Sequence, residues 1–467
     1  MVQLNRSMME RYEIEDRRPQ TLRAAIFGAD CMMLGVAARL LDAANARGGD
    51  LGAVCFTRAA QALRAQDGMF TLLVRGEGED GSPIREERVV QSIIAAVDPE
   101  AEFDSLLEYA RSPELEMIFL CAACDAVELA LAARFLYAAW QAGRKAPAVI
   151  LPGAQLLPDC AENARGAMAA IARGWADGEA FCAWLREAAF HPMLAESLCG
   201  ALNDAEAARA RHDMNYRDDF IAWAEPQLKC TIDSDAPGRL AAVCAVGDLA
   251  DACRKKERVF DAAVFLCAAA GYLSGMDTFS QTLRDEQLRA WIGHAFFDEI
   301  LPCLPWHREE IAPCVISAFN RLENAMNEMP LLEIGRGLLA SFSRAVLPAI
   351  RAHADRKFEA PARLSLALSA AIMLYAGVRR DERGEYAVER GDARHVLHDD
   401  PEILEAFSRL AHDMPAESLA YAVLADRAIW GTDLREIDGL ELRVTFNLSS
   451  IQRIGFRETL RIQEENQ

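Results

Sequence analysis

The sequence has no apolar run approaching the roughly 18 residues that a membrane-crossing helix needs, because charged or polar residues interrupt each one. Its start, Met1-Val-Gln-Leu-Asn-Arg6, lacks the apolar core of a secretory signal. A cytoplasmic protein with no membrane partner is expected. Basic charge is in deficit, with 50 Lys and Arg against 71 Asp and Glu and a net charge of -21. Such a chain repels polyanions, which excludes nucleic acid as a partner. No Gly-x-Ser-x-Gly elbow, P-loop or His-Glu-x-x-His is present, so the chemistries those motifs serve are not expected. Among 13 cysteines the one short-spaced pair is Cys121-Ala-Ala-Cys124. No second such pair follows, so neither a zinc site nor a disulfide framework is expected. His395-Val-Leu-His398 has the three-residue separation of a helical metal pair, but without further ligands it reads as a surface stretch. No metal is expected.

What is present suffices for large cores. The chain has 467 residues, 52% of them hydrophobic and 26% charged, and at about 150 residues per domain it divides into two or three units. Arg23–Gly28, Ala53–Thr57, Met117–Cys121 and Ala148–Leu151 read as buried strands. Helical stretches lie between them, at 32–44, 102–111 and up to about Ala142. Phe70–Arg75, the turn formers at 76–81 and Arg88–Ile94 read as a hairpin arm. From about Asp159 strands become scarce, and beyond Lys256 helical periodicity dominates. The turn-rich Asp233-Ser-Asp-Ala-Pro-Gly238 marks the boundary. The expected fold is an α/β, doubly wound, Rossmann-like domain with an inserted hairpin arm over 1–235, followed by an all-α domain over 236–467.

Several separated segments follow one another in a recognisable order. They are Gln66-Asp67-Gly68-Met69-Phe70-Thr71, Lys256-Glu-Arg-Val-Phe-Asp261-Ala-Ala-Val264, Gly275-Met-Asp277-Thr278, Asp298-Glu-Ile-Leu-Pro302 and Pro361-Ala-Arg363-Leu-Ser-Leu-Ala-Leu368. Together they resemble the long-chain mannitol dehydrogenase family, and its tagaturonate reductase (altronate oxidoreductase) branch in particular, over nearly the whole chain. The resemblance implies an oxidoreductase that uses NAD or NADP on a sugar acid or polyol, as a monomer or small homo-oligomer. It implies that Lys256 is the general acid/base with Asp261 beside it, that Arg321, Asn324 and Gln155 contact substrate, and that Gly28, Asp30 and Asp67 lie at the cofactor. Residues five and eight apart on a helix fall within about half a turn of one another and can converge on one cleft.

This chain departs from the family where that chemistry resides. Asp261 and Val264 stand where the family has asparagine and histidine, and valine neither accepts a proton nor donates a hydrogen bond. Gly28-Ala29-Asp30-Cys31-Met32 replaces Gly-x-Gly-x-Phe, which puts a carboxylate where a pyrophosphate meets the helix. Ala122-Ala123-Cys124 replaces Thr-Thr-Glu, and a substrate-facing lysine falls at Ser341. The alternative expectation is therefore a catalytically degenerate paralogue that keeps the scaffold for binding, sensing or subunit partnership. Local readings compete too. Lys256 follows Arg254-Lys255, the pattern of a solvated basic helix start, and Asp67-Gly68 forms turns in any context.

Overall fold

The computed structural model describes residues 2–78, 82–157, 159–324, 326, 329–411 and 413–466. The tip of the hairpin arm, at 79–81, lies outside these residues. Two compact units form, Met1–Cys253 and Arg254–Gln467. Residues 236–253 fall with the first unit because Ala245–Val246 pairs with Thr231 and Ile232 at the edge of its sheet.

The first unit is built on an eight-stranded sheet. Its spatial order is Ala245–Val246, Cys230–Ile232, Phe190–Ala195, Ala148–Gly153, Met117–Phe119, Leu22–Phe27, Gly52–Phe56 and Ile93–Val97. The sequence reading gave a wholly parallel sheet finished near residue 151. The structure adds Phe190–Ala195 beyond it, and Cys230–Ile232 pairs antiparallel with that strand. Phe190–Ala195 is interrupted by His191 and Pro192 and Cys230–Ile232 has only 3 residues, so no long apolar run announces them. Both faces of the sheet are covered, as parallel strands require. Ile26, Cys55, Phe119 and Ile150 pack on one side with Leu40 and Leu41. Phe27, Phe56, Ile118 and Leu151 pack on the other with Phe135, Leu136 and Phe181.

The hairpin arm is real, but its return strand ends earlier than the sequence reading placed it. Phe70–Glu77 and Pro83–Val90 pair antiparallel, and Ile93–Val97 belongs to the main sheet. The break falls at Gln91 and Ser92, both fully buried. The Gln91 amide donates to Asp42 and the Ser92 hydroxyl to the carbonyl of Ala38, which fixes the crossing from one sheet to the other. The base of the arm is held by Asp218, which is fully buried. It accepts from the Gln66 side chain at 2.9 Å, the Phe220 amide at 2.8 Å and the Thr71 amide at 2.5 Å.

The second unit is helical, centred on Ala262–Leu273 and Ala362–Ala376, which pack together and are buried along almost their whole lengths. It departs from an all-α expectation in one place. Arg379–Arg380, Tyr386–Arg390 and Ala393–Val396 form a three-stranded antiparallel sheet. The chain reverses at Gly384 and Gly391, whose φ values of +82° and +59° favour glycine. His395 therefore lies on a strand, with its ring edge-on to Tyr272, and not on a helix with His398. Asp399 is half-buried, accepts from the Tyr375 hydroxyl at 2.6 Å and caps the Leu338–Ala345 helix through the Leu339 amide. Among the described residues no helix is long and apolar enough to cross a membrane.

Replacing Asp218 by alanine strands the buried donors of Gln66 and Thr71. The expected loss is about 2–4 kcal/mol of stability, read from urea unfolding of the variant against the parent chain.

Candidate functional site

The helix that carries Lys256 runs without interruption from Leu249 to Leu273, but it changes pitch. Residues Glu257–Asp261 form a π turn, in which the Ala262 amide bonds to the Glu257 carbonyl five residues back. In a regular α-helix, positions five apart stand nearly half a turn from one another around the axis. The wider turn brings them nearly above one another. Lys256 Nζ accordingly lies 2.5 Å from Asp261 Oδ1, and each side chain is only 9% exposed. The basic run is thus not a solvated helix start at this residue. Lys255 pairs with Glu310 at 2.6 Å, while Lys256 turns inward.

Around this pair the second unit arranges further charge. The Phe260 ring has the Lys256 ammonium 5.9 Å from its centroid and the Arg321 guanidinium 4.5 Å from it, so one ring meets two cations. Glu257 pairs with Arg344 at 2.9 Å. Burial lowers the basicity of Arg258. Asn324 ends the Arg308–Glu323 helix, and its side-chain oxygen accepts from the Met326 amide at 2.9 Å. Ser341 is buried and donates to the Leu338 carbonyl. Val264 is a buried apolar residue. The second unit therefore brings Lys256, Asp261 and Arg321 together around Phe260.

This arrangement can hold a hydroxyl and move a proton between oxygen and nitrogen. An ionised carboxylate at 261 accepts hydrogen bonds and cannot donate one, so support for a developing oxyanion falls to the cations alone. Asp261 Oδ2 is buried and has no hydrogen-bond partner.

The other expected residues belong to the first unit, where the strand order reverses between Leu22–Phe27 and Met117–Phe119. Ligands of doubly wound sheets bind beyond the strand ends at such a point. Gly28 follows the first of these strands with φ +94°, and its amide donates to the Phe56 carbonyl. Asp30 then caps the next helix, its Oδ1 accepting from the Met33 amide at 2.8 Å. Glu128 Oε1 stands 3.2 Å from where a Cβ on Gly28 would be. Asp67 adopts φ +51° and accepts from the Arg6 amide at 2.8 Å, which ties it to the chain's first helix. Gln155 is exposed on the loop after Ala148–Gly153. Cys121 and Cys124 are free thiols, and burial pushes Cys124 up to about 12. Among the described residues no group of three or more His, Cys, Asp or Glu is placed to hold a metal ion.

Glycine at 28 lets the backbone bend as a dinucleotide turn must. The carboxylates of Asp30 and Glu128 do not fit the anionic pyrophosphate that such a turn receives. Sequence reasoning missed Glu128, Phe260 and Arg344. Glu128 begins a helix capped by Asp125 and Arg344 sits on a different helix from Glu257, so neither leaves a pattern in the chain. Phe260 carried a signal, since it precedes Asp261 within the quoted motif, but an aromatic at helical spacing reads first as core.

No protein-family model matches the chain. Two solved structures share its fold. A Pseudomonas fluorescens mannitol 2-dehydrogenase, in a ternary complex with NAD and D-mannitol, superposes with a TM-score of 0.78 at 17% identity, covering 100% of both chains. A D-sorbitol dehydrogenase in substrate-free form gives 0.74 at 15% identity, covering 98% of this chain and 100% of that one. The fold class is thus that of long-chain polyol dehydrogenases, with a Rossmann-like sheet unit and a helical unit. Among curated relatives, the altronate oxidoreductase of Klebsiella pneumoniae (strain 342) is 26% identical over 431 residues, 85% of this chain and 86% of its own. That of Shigella flexneri is 25% identical over 443 residues, 85% of this chain and 87% of its own. In sequence the chain is thus similar to altronate oxidoreductases, and in fold to mannitol and sorbitol dehydrogenases.

Breaking one side of a buried ion pair costs more than replacing both sides. Lys256→Ala leaves Asp261 buried with neither oxygen partnered, and the expected destabilisation in urea unfolding is about 3–5 kcal/mol. A Lys256→Met, Asp261→Leu double variant is expected to recover most of that loss.

Proposed function

We propose that this chain is an oxidoreductase acting on a sugar acid or polyol, with Lys256 carrying the proton at the substrate's carbinol oxygen. The observation that supports this reading is a lysine withdrawn from solvent where a π turn begins, a feature often found at functional sites. The printed names of the relatives, altronate oxidoreductase and mannitol 2-dehydrogenase with NAD and D-mannitol, supply the substrate class. Asp261 accepts the substrate's hydroxyl proton or relays it to Lys256. Arg321 supplies positive charge for a hydroxyl or carboxylate. Asn324 is a further proposed contact for substrate on the second unit, and Gln155 a separate one on the first. A nicotinamide dinucleotide, NAD or NADP, supplies the hydride chemistry when bound. Gly28 and Asp67 are the proposed contacts on the first unit. Because the charge at the phosphate position does not fit, no step is drawn through the cofactor.

A second reading is favoured by a specific pair of observations. Asp261 already neutralises Lys256, and Asp30 already caps the helix end that would meet phosphate. A paralogue that binds its ligand as a sensor or subunit partner, without turnover, satisfies both. NADH fluorescence titration and calorimetry with altronate and with mannitol separate the two. Saturable NADH binding with turnover of either compound supports the oxidoreductase, and ligand binding without turnover supports the binding protein. If neither altronate nor mannitol binds, the sugar-acid and polyol reading falls. On any turnover found, the Lys256→Met, Asp261→Leu variant is expected to lose at least about a hundredfold in kcat.

A further inference from the structure

We propose that the first unit fills its own phosphate seat, and that the carboxylates of Asp30 and Glu128 make the strand-order reversal select against phosphate-bearing ligands. A helix start binds anions because its first amides lack partners inside the helix and its dipole favours negative charge. At this crevice both helix starts already have an anion. The helix of residues 31–45 begins at Asp30, whose Oδ1 takes the Met33 amide at 2.8 Å. The Ala126–Gln141 helix begins at Asp125, whose Oδ1 takes the Val127 and Glu128 amides, each at 2.8 Å. Glu128 reaches from the second helix towards the turn that opens the first, its Oε1 3.2 Å from the position of a Cβ on Gly28. Burial raises the Glu128 carboxyl above its ordinary value, and the charges of Asp125 and Asp30 add to that. A pyrophosphate approaching Gly28 thus meets three carboxylates of the chain and helix amides already engaged.

The amide-capping role and the charge are separable, because asparagine caps a helix start about as well as aspartate. Asp30→Asn keeps the cap and removes one negative charge, and adding Glu128→Gln removes a second. This inference rests on the binding-protein reading, since a chain that repels the dinucleotide below the millimolar range has no hydride source for turnover. It concerns the first unit alone, so the calorimetry with altronate and mannitol is unaffected by its failure.

The test uses the full chain, with NADH and ADP as probes, in titrations at pH 7.5 and in thermal melts. The parent chain is expected to show no saturable binding of either probe below the millimolar range. Asp30→Asn is expected to melt within a few degrees of the parent and to bind both probes at least tenfold more tightly, and the double variant more tightly again. Raising salt is expected to strengthen the parent's weak binding, since it screens repulsion, whereas cationic phosphate sites weaken with salt. Micromolar NADH binding by the parent chain overturns the inference and leaves the oxidoreductase reading standing. A folded Asp30→Asn, Glu128→Gln variant with no gain in affinity also overturns it.

Discussion

An ammonium withdrawn from water must have a counter-charge, and here the chain supplies it from the next turn of the same helix. Lys256 and Asp261 are brought together by a π turn that a regular helix would not make. The local pitch, the inward course of Lys256 while Lys255 meets Glu310, and the sharing of Phe260 with Arg321 all accompany that pairing. A buried ion pair contributes little net stability compared with apolar groups of the same shape, because desolvation offsets most of the attraction.

The first unit solves a similar problem with carboxylates of its own. Helix starts at the end of a parallel sheet leave amides without internal partners, and a bound phosphate is one way to satisfy them. Asp30 and Asp125 are another. Asp67, expected at a cofactor, is likewise engaged by the Arg6 amide. In both units, groups that could meet an external ligand meet other groups of the same molecule.

Much of the fold was legible because long apolar strands and helices leave strong periodic signals. The strands at Leu22–Phe27, Gly52–Phe56 and Ala148–Gly153 and the arm beginning at Phe70 fell close to where hydrophobic pattern placed them. The later strands of the first unit did not, because their pairing partners lie far along the chain and short strands carry little pattern of their own. The small sheet at Tyr386–Val396 was hidden among charged residues, where two glycine reversals and not hydrophobicity define it.

The sequence alone determined which residue types stand at the family's positions: Lys256 kept, valine for histidine, aspartates at 30 and 261. Those are covalent facts, and the limits on donors and acceptors follow from them directly. Only the tertiary structure decided what each group touches. Asp261 lies against Lys256 because the helix widens there, Glu128 faces Gly28 because two distant helices start at one end of the sheet, and Arg321 meets Phe260 from another helix. Hydrogen bonds and ion pairs depend on distances of a few ångströms between residues far apart in the chain, and packing fixes those distances.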